Sequence, residues 1–386
     1  MVISIATVPL GVRLALTQSS TGVSFARYCK IILADKIAVN RPVHGIMRAH
    51  GSARVPCELQ PPEMRTLITG ASGFSGSHLA EHLAANTHDE LYGCGLAGQM
   101  PADLSAAINY ECIDLCDAGA VGAYIARIRP TAIYHLAGQA AVHASWGDPW
   151  AWFQGNVQSQ VNMLEAARQL QPHPRIVVVT SGQVYGSVAS GKPLTDEDSE
   201  LRPDTPYGTS KAAQDWLAQQ AFVHYGLPII RLRPFNHIGP RQTGDFVATS
   251  FARQLVRIAA GQQPARVLVG NLAMQQDFTD VRDMARAYHL AWQHCAAGEA
   301  YNIASGSRYP VQQLLDELLR LTGLQVEVTV DPALYRPTTG AGLLPDTRKF
   351  TKLTGWQPAY NLTQTLDSLL QHERSLLQSV ALSAPK

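Results

Sequence analysis

The sequence has few cysteines, no long apolar run and almost no net charge. Its 386 residues include six scattered cysteines without CxxC spacing, which argues against a disulfide framework and indicates free thiols in a reducing cytoplasm. Cys112 and Cys116 lie four apart without a second ligand pair, so we predict no metal site. No apolar run approaches the roughly 20 residues that span a bilayer. A formal charge of +1 offers no field for nucleic acid or anionic membrane, so we expect small-molecule chemistry.

Residues 1–63 differ from the rest of the chain. They carry seven basic residues against three acidic ones and show little sustained periodicity. A targeting segment, a disordered extension and a wrongly assigned start are the alternatives. The first basic residue, Arg13, follows the apolar stretch rather than preceding it, which argues against a signal peptide. Because Met64 directly precedes the first predicted strand, we favour an inessential extension or a wrong start.

From Met64 onward, short β-rich runs alternate with helical patterns. The strand candidates are "RTLITG", "ELYGCG", "INYECI", "AIYHLA", "RIVVVTS" and "PIIRLRP", and the helical stretches between them include 117–128, 149–170 and 208–225. Repeated βα units predict an α/β fold with a doubly wound parallel sheet over residues 64–234. After Pro234 the alternation breaks, and we interpret residues 235–374 mostly as a smaller α/β substrate-binding cap, followed by a tail over 375–386.

The segment "TGASGFSG" places Gly70, Gly73 and Gly76 between a predicted strand and a helix. Glycines allow a tight turn and let a pyrophosphate reach backbone N–H groups at a helix N-terminus, so this loop predicts dinucleotide binding. The second strand ends in "YGCGLAGQ", with neither the acid typical of NAD sites nor the arginine typical of NADP sites. The choice between NADH and NADPH therefore stays open. Asp114 is a candidate adenine contact or a helix cap.

A second motif, "PYGTSK", places Tyr207 and Lys211 four residues apart, on one face of a helix. A lysine ammonium favours phenolate, so we expect it to lower the pKa of Tyr207 towards neutral pH and to make Tyr207 a proton donor or acceptor. Ser181, in "TSGQVYG", is the third candidate catalytic residue.

Together, "TGASGFSG", "HLAGQ", "TSGQVYG" and "YGTSK" resemble the extended short-chain dehydrogenases/reductases, the NAD-dependent epimerase/dehydratase family with a Rossmann-type fold. The resemblance implies that Ser181 hydrogen-bonds the substrate oxygen, Tyr207 transfers the proton and Lys211 binds the nicotinamide ribose. It also implies a homodimer. The cofactor-binding residues that it implies are Gly70, Ser72, Gly73, Phe74, Gly76, Asp114, Leu115, Leu136, Ala137, Gly138, Asn156, Tyr207 and Lys211.

The stretch "RPFNHIGPRQTGDFV" narrows the resemblance to the GDP-sugar branch, which contains 4,6-dehydratases and ketosugar reductases. The implied substrate contacts are Gln139, Ser181, Gln183, Asn236, Arg241 and Arg336. The chain departs from the family at Gln276, where an arginine is common, and at Thr338 and Thr339, where an acid is common. These departures bear on the substrate rather than on the family.

Gln183 separates the reactions of this branch. Dehydratases carry a carboxylate two residues after the active-site hydroxyl, because loss of water needs a general acid and base; an amide cannot transfer protons near neutral pH. Reduction needs only a hydride from NADH or NADPH and one proton. We therefore predict reduction of a GDP-4-keto-6-deoxy-hexose at C4. The alternatives are GDP-mannose 4,6-dehydration, nucleotide-sugar 4-epimerisation and, from another class, a non-catalytic NAD(P)-sensing protein.

Overall fold

The structure, a computed structural model, describes residues 64–101, 104–186, 194–335 and 343–383 of the chain. Its strands are β1 (Arg65–Thr69), β2 (Glu90–Gly95), β3 (Asn109–Cys112), β4 (Ala132–His135), β5 (Arg175–Val179), β6 (Ile229–Pro234), β7 (His237–Ile238), β8 (Arg266–Val269), β9 (Gln275–Asp277), β10 (Thr279–Asp280), β11 (Ala300–Ile303), β12 (Arg308–Pro310) and β13 (Glu327–Val330). The predicted extension over 1–63 lies outside the described residues.

The α-helices are α1 (Phe74–Asn86), α2 (Ala118–Ile128), α3 (Pro149–Trp152), α4 (Ser159–Ala167), α5 (Pro206–Tyr225), α6 (Val247–Ala259), α7 (Val281–His294), α8 (Val311–Thr322), α9 (Arg348–Thr354) and α10 (Leu362–Ser383). Two 3₁₀ turns, His143–Trp146 and Gly182–Tyr185, and a π-helical segment, Phe153–Gln158, complete the set. Within the described ranges, none of the helices is both long and apolar enough to cross a bilayer.

Seven parallel strands form the main sheet in the order β11-β6-β5-β4-β1-β2-β3. This order reverses between β1 and β4, where the carboxyl ends of the strands leave a crevice for a ligand. All six predicted strands are present, so the doubly wound Rossmann-type fold is confirmed. The seventh strand, β11, joins the sheet from far beyond Pro234.

Side chains that alternate along the strands bury the sheet on both faces. Leu67, Ile133 and Ile176 lie in the cluster that packs beneath α2 and α4, whereas Ile68 and Val177 lie in the cluster with α1 and α7. Successive strand residues point to opposite faces, so each apolar run supports both layers of helices.

A third apolar cluster lies wholly after residue 237. Phe251 on α6, Val267 on β8, Leu314 on α8 and Leu369 on α10 are fully buried there. The predicted strands "ARVLVG" and "QVEVTV" pair in parallel as β8 and β13, apart from the main sheet. Because α7 and β11 return to the main sheet, the division at residue 234 stays a prediction. α10 continues to Ser383, so the helix extends beyond the predicted boundary at 374.

Candidate active site

The glycine loop joins β1 to α1 at the carboxyl edge of the sheet. Gly70 has φ of +71°, in the left-handed region, and its N–H donates to the Cys94 carbonyl at 2.7 Å. A Cβ at Gly76 would lie 2.0 Å from the Gly70 carbonyl oxygen, so helix and strand meet without room for a side chain. No side chain caps the N-terminus of α1 at Gly73. These features fit a dinucleotide pyrophosphate, which takes backbone N–H groups at such a terminus.

The loop after β4, with Leu136, Ala137 and Gly138, borders the glycine loop. The Ala137 N–H donates to Thr69 Oγ1 at 3.3 Å, and Gly138 lies so close to its neighbours that a Cβ there would be 2.5 Å from Asn156 Oδ1 and 3.5 Å from Lys211 Nζ. The structure therefore brings together predicted cofactor residues from both loops and from α5.

Asn156 holds this arrangement. Its Oδ1 accepts from the Gln139 N–H at 2.7 Å, and its Nδ2 donates to Ser210 Oγ on α5 at 2.9 Å. The predicted helical stretch over 149–170 is helical from Pro149 to Ala167, but its geometry changes from α-helical to π-helical over Phe153–Gln158. π-helical bulges recur at functional sites. Here the bulge contains Asn156, which links the loop after β4 to α5.

The three predicted catalytic residues lie where β5 and α5 meet. β5 ends at Val179, and Ser181 follows with its side chain accepting from the Gln183 N–H at 3.1 Å. α5 begins at Pro206 behind a Thr205 cap, which places Tyr207 in its first turn. Tyr207 hydrogen-bonds Ser181, and Lys211 Nζ donates to the Val179 carbonyl at 3.2 Å. Tyr207 and Lys211 are 7 % and 5 % exposed.

The pKa values of this site correct one expectation. Burial raises the pKa of Tyr207, and the hydrogen bond with Ser181 only partly opposes this, so the net shift is upward and the predicted shift towards neutral pH is wrong for the chain itself. Burial also lowers the pKa of Lys211 to about 8. The phenol therefore holds its proton at neutral pH, which suits a proton donor.

Sequence patterns do not identify Ser145, which lies on the 3₁₀ turn His143–Trp146. Ser145 is fully buried, and its Oγ accepts from the Tyr207 N–H at 3.3 Å while donating to the Val142 carbonyl at 2.6 Å. It therefore fixes the start of α5 from outside the helix. No local signal distinguishes this serine from others in the chain.

Sequence patterns also missed an ion cluster beneath the catalytic segment. Asp215, one turn beyond Lys211, is fully buried and accepts from Arg231 at 2.7 Å and from Arg233 at 2.8 and 2.9 Å. Arg233 also donates to the Tyr185 hydroxyl at 2.8 Å. The cluster therefore ties α5, β6 and the "TSGQVYG" segment together.

On the predicted substrate side, Asn236 donates to Gln276 Oε1 at 3.3 Å. Gln276, at the position where the family resemblance implies an arginine, thus contacts a predicted substrate residue. Arg282 does not replace that arginine, because its guanidinium pairs with Asp280 at 2.6 Å and lies 3.8 Å from the centre of the Tyr360 ring. Arg336, Thr338 and Thr339 lie outside the described residues.

The loop over 235–242 docks on α1. The Phe74 and His237 rings stack with centroids 5.5 Å apart, and His237 Nε2 lies 2.7 Å from Ser75 Oγ. Arg241 pairs with Glu81 and donates to His78 Nδ1 at 2.7 Å. The guanidinium of Arg241 is therefore engaged by α1, and its predicted contact with the substrate stays a prediction.

Asp114 follows β3, and its carboxylate accepts from the Cys116 N–H at 2.9 Å. The cap of α2 is Asp117, which accepts from Gly119 and Ala120, so Asp114 is not the helix cap. Leu115 is buried beside it. The adenine contact of Asp114 stays a prediction.

The comparisons with known proteins agree with this geometry. Residues 67–369 match the family model described as GDP-mannose 4,6 dehydratase. The chain belongs to this family. One similar protein is the GDP-6-deoxy-D-mannose reductase of Pseudomonas aeruginosa. It is 33% identical over 306 residues, which cover 79% of this chain and 96% of the relative.

Two solved structures are similar to this chain in fold as well as in sequence. The structure of RMD from Pseudomonas aeruginosa complexed with NADPH is 30% identical, with a TM-score of 0.70 over 81% of this chain and 99% of its own. The Thermus thermophilus UDP-glucose 4-epimerase in complex with NAD is 28% identical, with a TM-score of 0.72 over 81% and 99%. The proteins to which this chain is similar thus include a reductase and an epimerase, and its family model is described by a dehydratase.

Proposed function

We propose that this chain reduces the C4 ketone of a GDP-4-keto-6-deoxy-hexose with NADH or NADPH, giving GDP-rhamnose or GDP-6-deoxy-talose. The observation that carries the proposal is Gln183, whose neutral amide stands two residues after Ser181, in the 3₁₀ turn that packs against the start of α5 at Gly208. An amide can orient a sugar hydroxyl but cannot transfer protons for dehydration. The 33% identical reductase supports the same reaction.

The residues of the chain supply binding and proton transfer. The glycine loop, the 136–139 loop, Asn156 and Lys211 would hold the dinucleotide, which supplies the hydride when it is bound. Ser181 and Tyr207 would bind the ketone oxygen, and Tyr207 would donate the proton to it. Tyr207 holds its proton at neutral pH, as the donor for reduction of a ketone must.

The test supplies purified enzyme with GDP-mannose alone and, separately, with the 4-keto-6-deoxy sugar nucleotide and NADH or NADPH. We expect no reaction in the first case and one equivalent of reduced dinucleotide oxidised per ketosugar in the second. Ketosugar formation from GDP-mannose without added reductant would overturn the proposal in favour of a dehydratase. Interconversion at C4 without net oxidation of the dinucleotide would identify an epimerase.

Substitutions at position 183 sharpen this test. Gln183→Glu restores a carboxylate beside Ser181, so we expect weak dehydration activity to appear. Gln183→Met, of similar length and without polar atoms, is the matched control and should acquire none. Equal dehydration activity in both variants, or dehydration by the unmodified enzyme, would show that Gln183 does not decide between reduction and dehydration.

The rate of reduction should fall as the pH rises through about 8. The protonated fraction of Lys211 decreases there, since burial lowers its pKa to about 8, and a neutral lysine no longer stabilises the phenolate that forms as Tyr207 gives up its proton. The measurement is kcat/KM between pH 6 and 10. In Lys211→Arg the charge persists, so the fall should move to higher pH; coincident profiles for the two enzymes would contradict this role.

We also propose that residues 235–374 mostly form the substrate-binding cap, and that the enzyme is a cytoplasmic homodimer. The separate apolar cluster of α6, α8 and α10 supports the cap. Exposed apolar side chains on α4 and α5, namely Val161 at 38 %, Trp216 at 58 % and Val223 at 61 %, support pairing of these helices between two copies. Free Cys94, Cys112, Cys116 and Cys295 support a reducing compartment.

A further inference from the structure

The carboxyl end of β2 has an unusual composition. Its last residue, Gly95, has no side chain, and a Cβ built there would lie 3.0 Å from Ser72 Oγ and 3.1 Å from the Tyr110 hydroxyl oxygen. In doubly wound folds, the side chain at this end of β2 reads the 2′ position of the adenosine ribose. Two neutral hydroxyls, one from the glycine loop and one from β3, therefore fill the volume in which that side chain would begin.

The hydrogen bonds of this pair fix the direction of its protons. The Tyr110 hydroxyl donates its one proton to the Ala97 carbonyl at 2.7 Å. The Ser72 and Tyr110 oxygens lie 3.0 Å apart, so Ser72 must be the donor between them. Both protons are then used, and the Ser72 oxygen presents lone pairs. Such an acceptor suits a ribose hydroxyl, which donates, and opposes a phosphate, which only accepts.

The charges near Ser72 and Tyr110 in the sequence also favour a free 2′-hydroxyl over a 2′-phosphate. Between Arg65 and Arg127 the sequence contains no lysine or arginine, whereas it contains seven aspartates and glutamates. Arg127 itself pairs with Glu111 at 2.6 and 2.7 Å. A 2′-phosphate would therefore meet neither a cation nor a free hydroxyl proton from this part of the chain, although phosphate recognition depends on both.

We propose that Ser72 and Tyr110 make this site selective for a dinucleotide with a free 2′-hydroxyl, so that the enzyme prefers NADH to NADPH. This inference rests on the proposed function only in taking the glycine loop as the dinucleotide site.

Direct titration tests the selectivity without any turnover. The dissociation constants of NADH and NADPH are measured from nicotinamide fluorescence for the unmodified enzyme, Tyr110→Phe, Leu96→Arg and the control Tyr92→Phe. We expect NADH to bind roughly tenfold more tightly than NADPH in the unmodified enzyme. Leu96 follows β2 and is 75 % exposed, so an arginine there disturbs no packing and should reverse the preference by binding phosphate.

In Tyr110→Phe, the Ser72 proton becomes available to a phosphate, so the preference for NADH should shrink about threefold. Tyr92 also lies on β2, but its hydroxyl donates to Glu90, so Tyr92→Phe should leave the preference unchanged. Equal or tighter binding of NADPH by the unmodified enzyme would overturn the inference and leave the proposed reduction intact. Failure of both dinucleotides to bind would overturn the proposed function and this inference with it.

Discussion

Replacing Tyr207 by phenylalanine is expected to lower the turnover of ketosugar reduction by roughly 100- to 10,000-fold, the usual contribution of a positioned proton donor. The substitution removes only the hydroxyl, which hydrogen-bonds Ser181 in a site that is almost completely buried. The ring and the backbone N–H bonded to Ser145 remain, so the helix start should keep its geometry. The measurement is kcat with saturating ketosugar and reduced dinucleotide.

The dissociation constant of the dinucleotide provides the control for this variant. It should remain nearly unchanged, because the loop contacts of Asn156 and Lys211 do not depend on the phenol. Turnover close to that of the unmodified enzyme would exclude Tyr207 as the proton donor. Loss of dinucleotide binding in parallel with turnover would instead point to a structural role.

Replacing Asp215 by asparagine is expected to reduce the free energy of unfolding by about 3–5 kcal/mol, the cost typical of leaving a buried charge without its partner. Asp215 is fully buried and is the carboxylate to which both Arg231 and Arg233 bind. Urea or guanidinium unfolding of both enzymes measures the difference. Turnover should fall as well, because Thr180, which precedes Ser181, also contacts Asp215.

The matched control is Glu111→Gln, which breaks the ion pair with Arg127 on the surface at a similar distance. Exposed pairs contribute little, so this variant should unfold much like the unmodified enzyme. Burial alone would raise the pKa of Asp215, but the two arginines outweigh it and lower the pKa. The stabilisation is therefore complete above the unfolded pKa of about 3.9 and is lost as the pH falls below it. Equal destabilisation by both variants would contradict the assignment.

Local sequence patterns predict the six strands up to Pro234, because each is a short β-rich run and helical patterns separate them. They did not predict that Ala300–Ile303 completes the sheet, since a four-residue strand in a region of loops carries no periodic signal. The pairing of β8 with β13 was equally hidden, because strand partners some 60 residues apart are chosen by tertiary packing.

For the site, the motifs located Ser181, Tyr207, Lys211 and the glycines, whose spacing is set by the local backbone. They could not find Ser145 or the partners of Asp215, which act across elements distant in the chain. The pKa of Tyr207 was mispredicted for a related reason. The spacing of Tyr207 and Lys211 was correct, but the degree of burial, which dominates the shift, is a property of the whole fold.

Because the 235–242 loop docks on α1, this one helix borders both the predicted dinucleotide site and a loop with predicted substrate residues. Phe74, which opens α1 at the predicted dinucleotide site, stacks on His237, and His78 and Glu81, further along the same helix, bind Arg241, a predicted substrate residue. We therefore expect changes on this face of α1 to act on both predicted sites at once. Substitutions in the predicted cap, remote from α1, are expected to change the preference for a sugar without weakening dinucleotide binding.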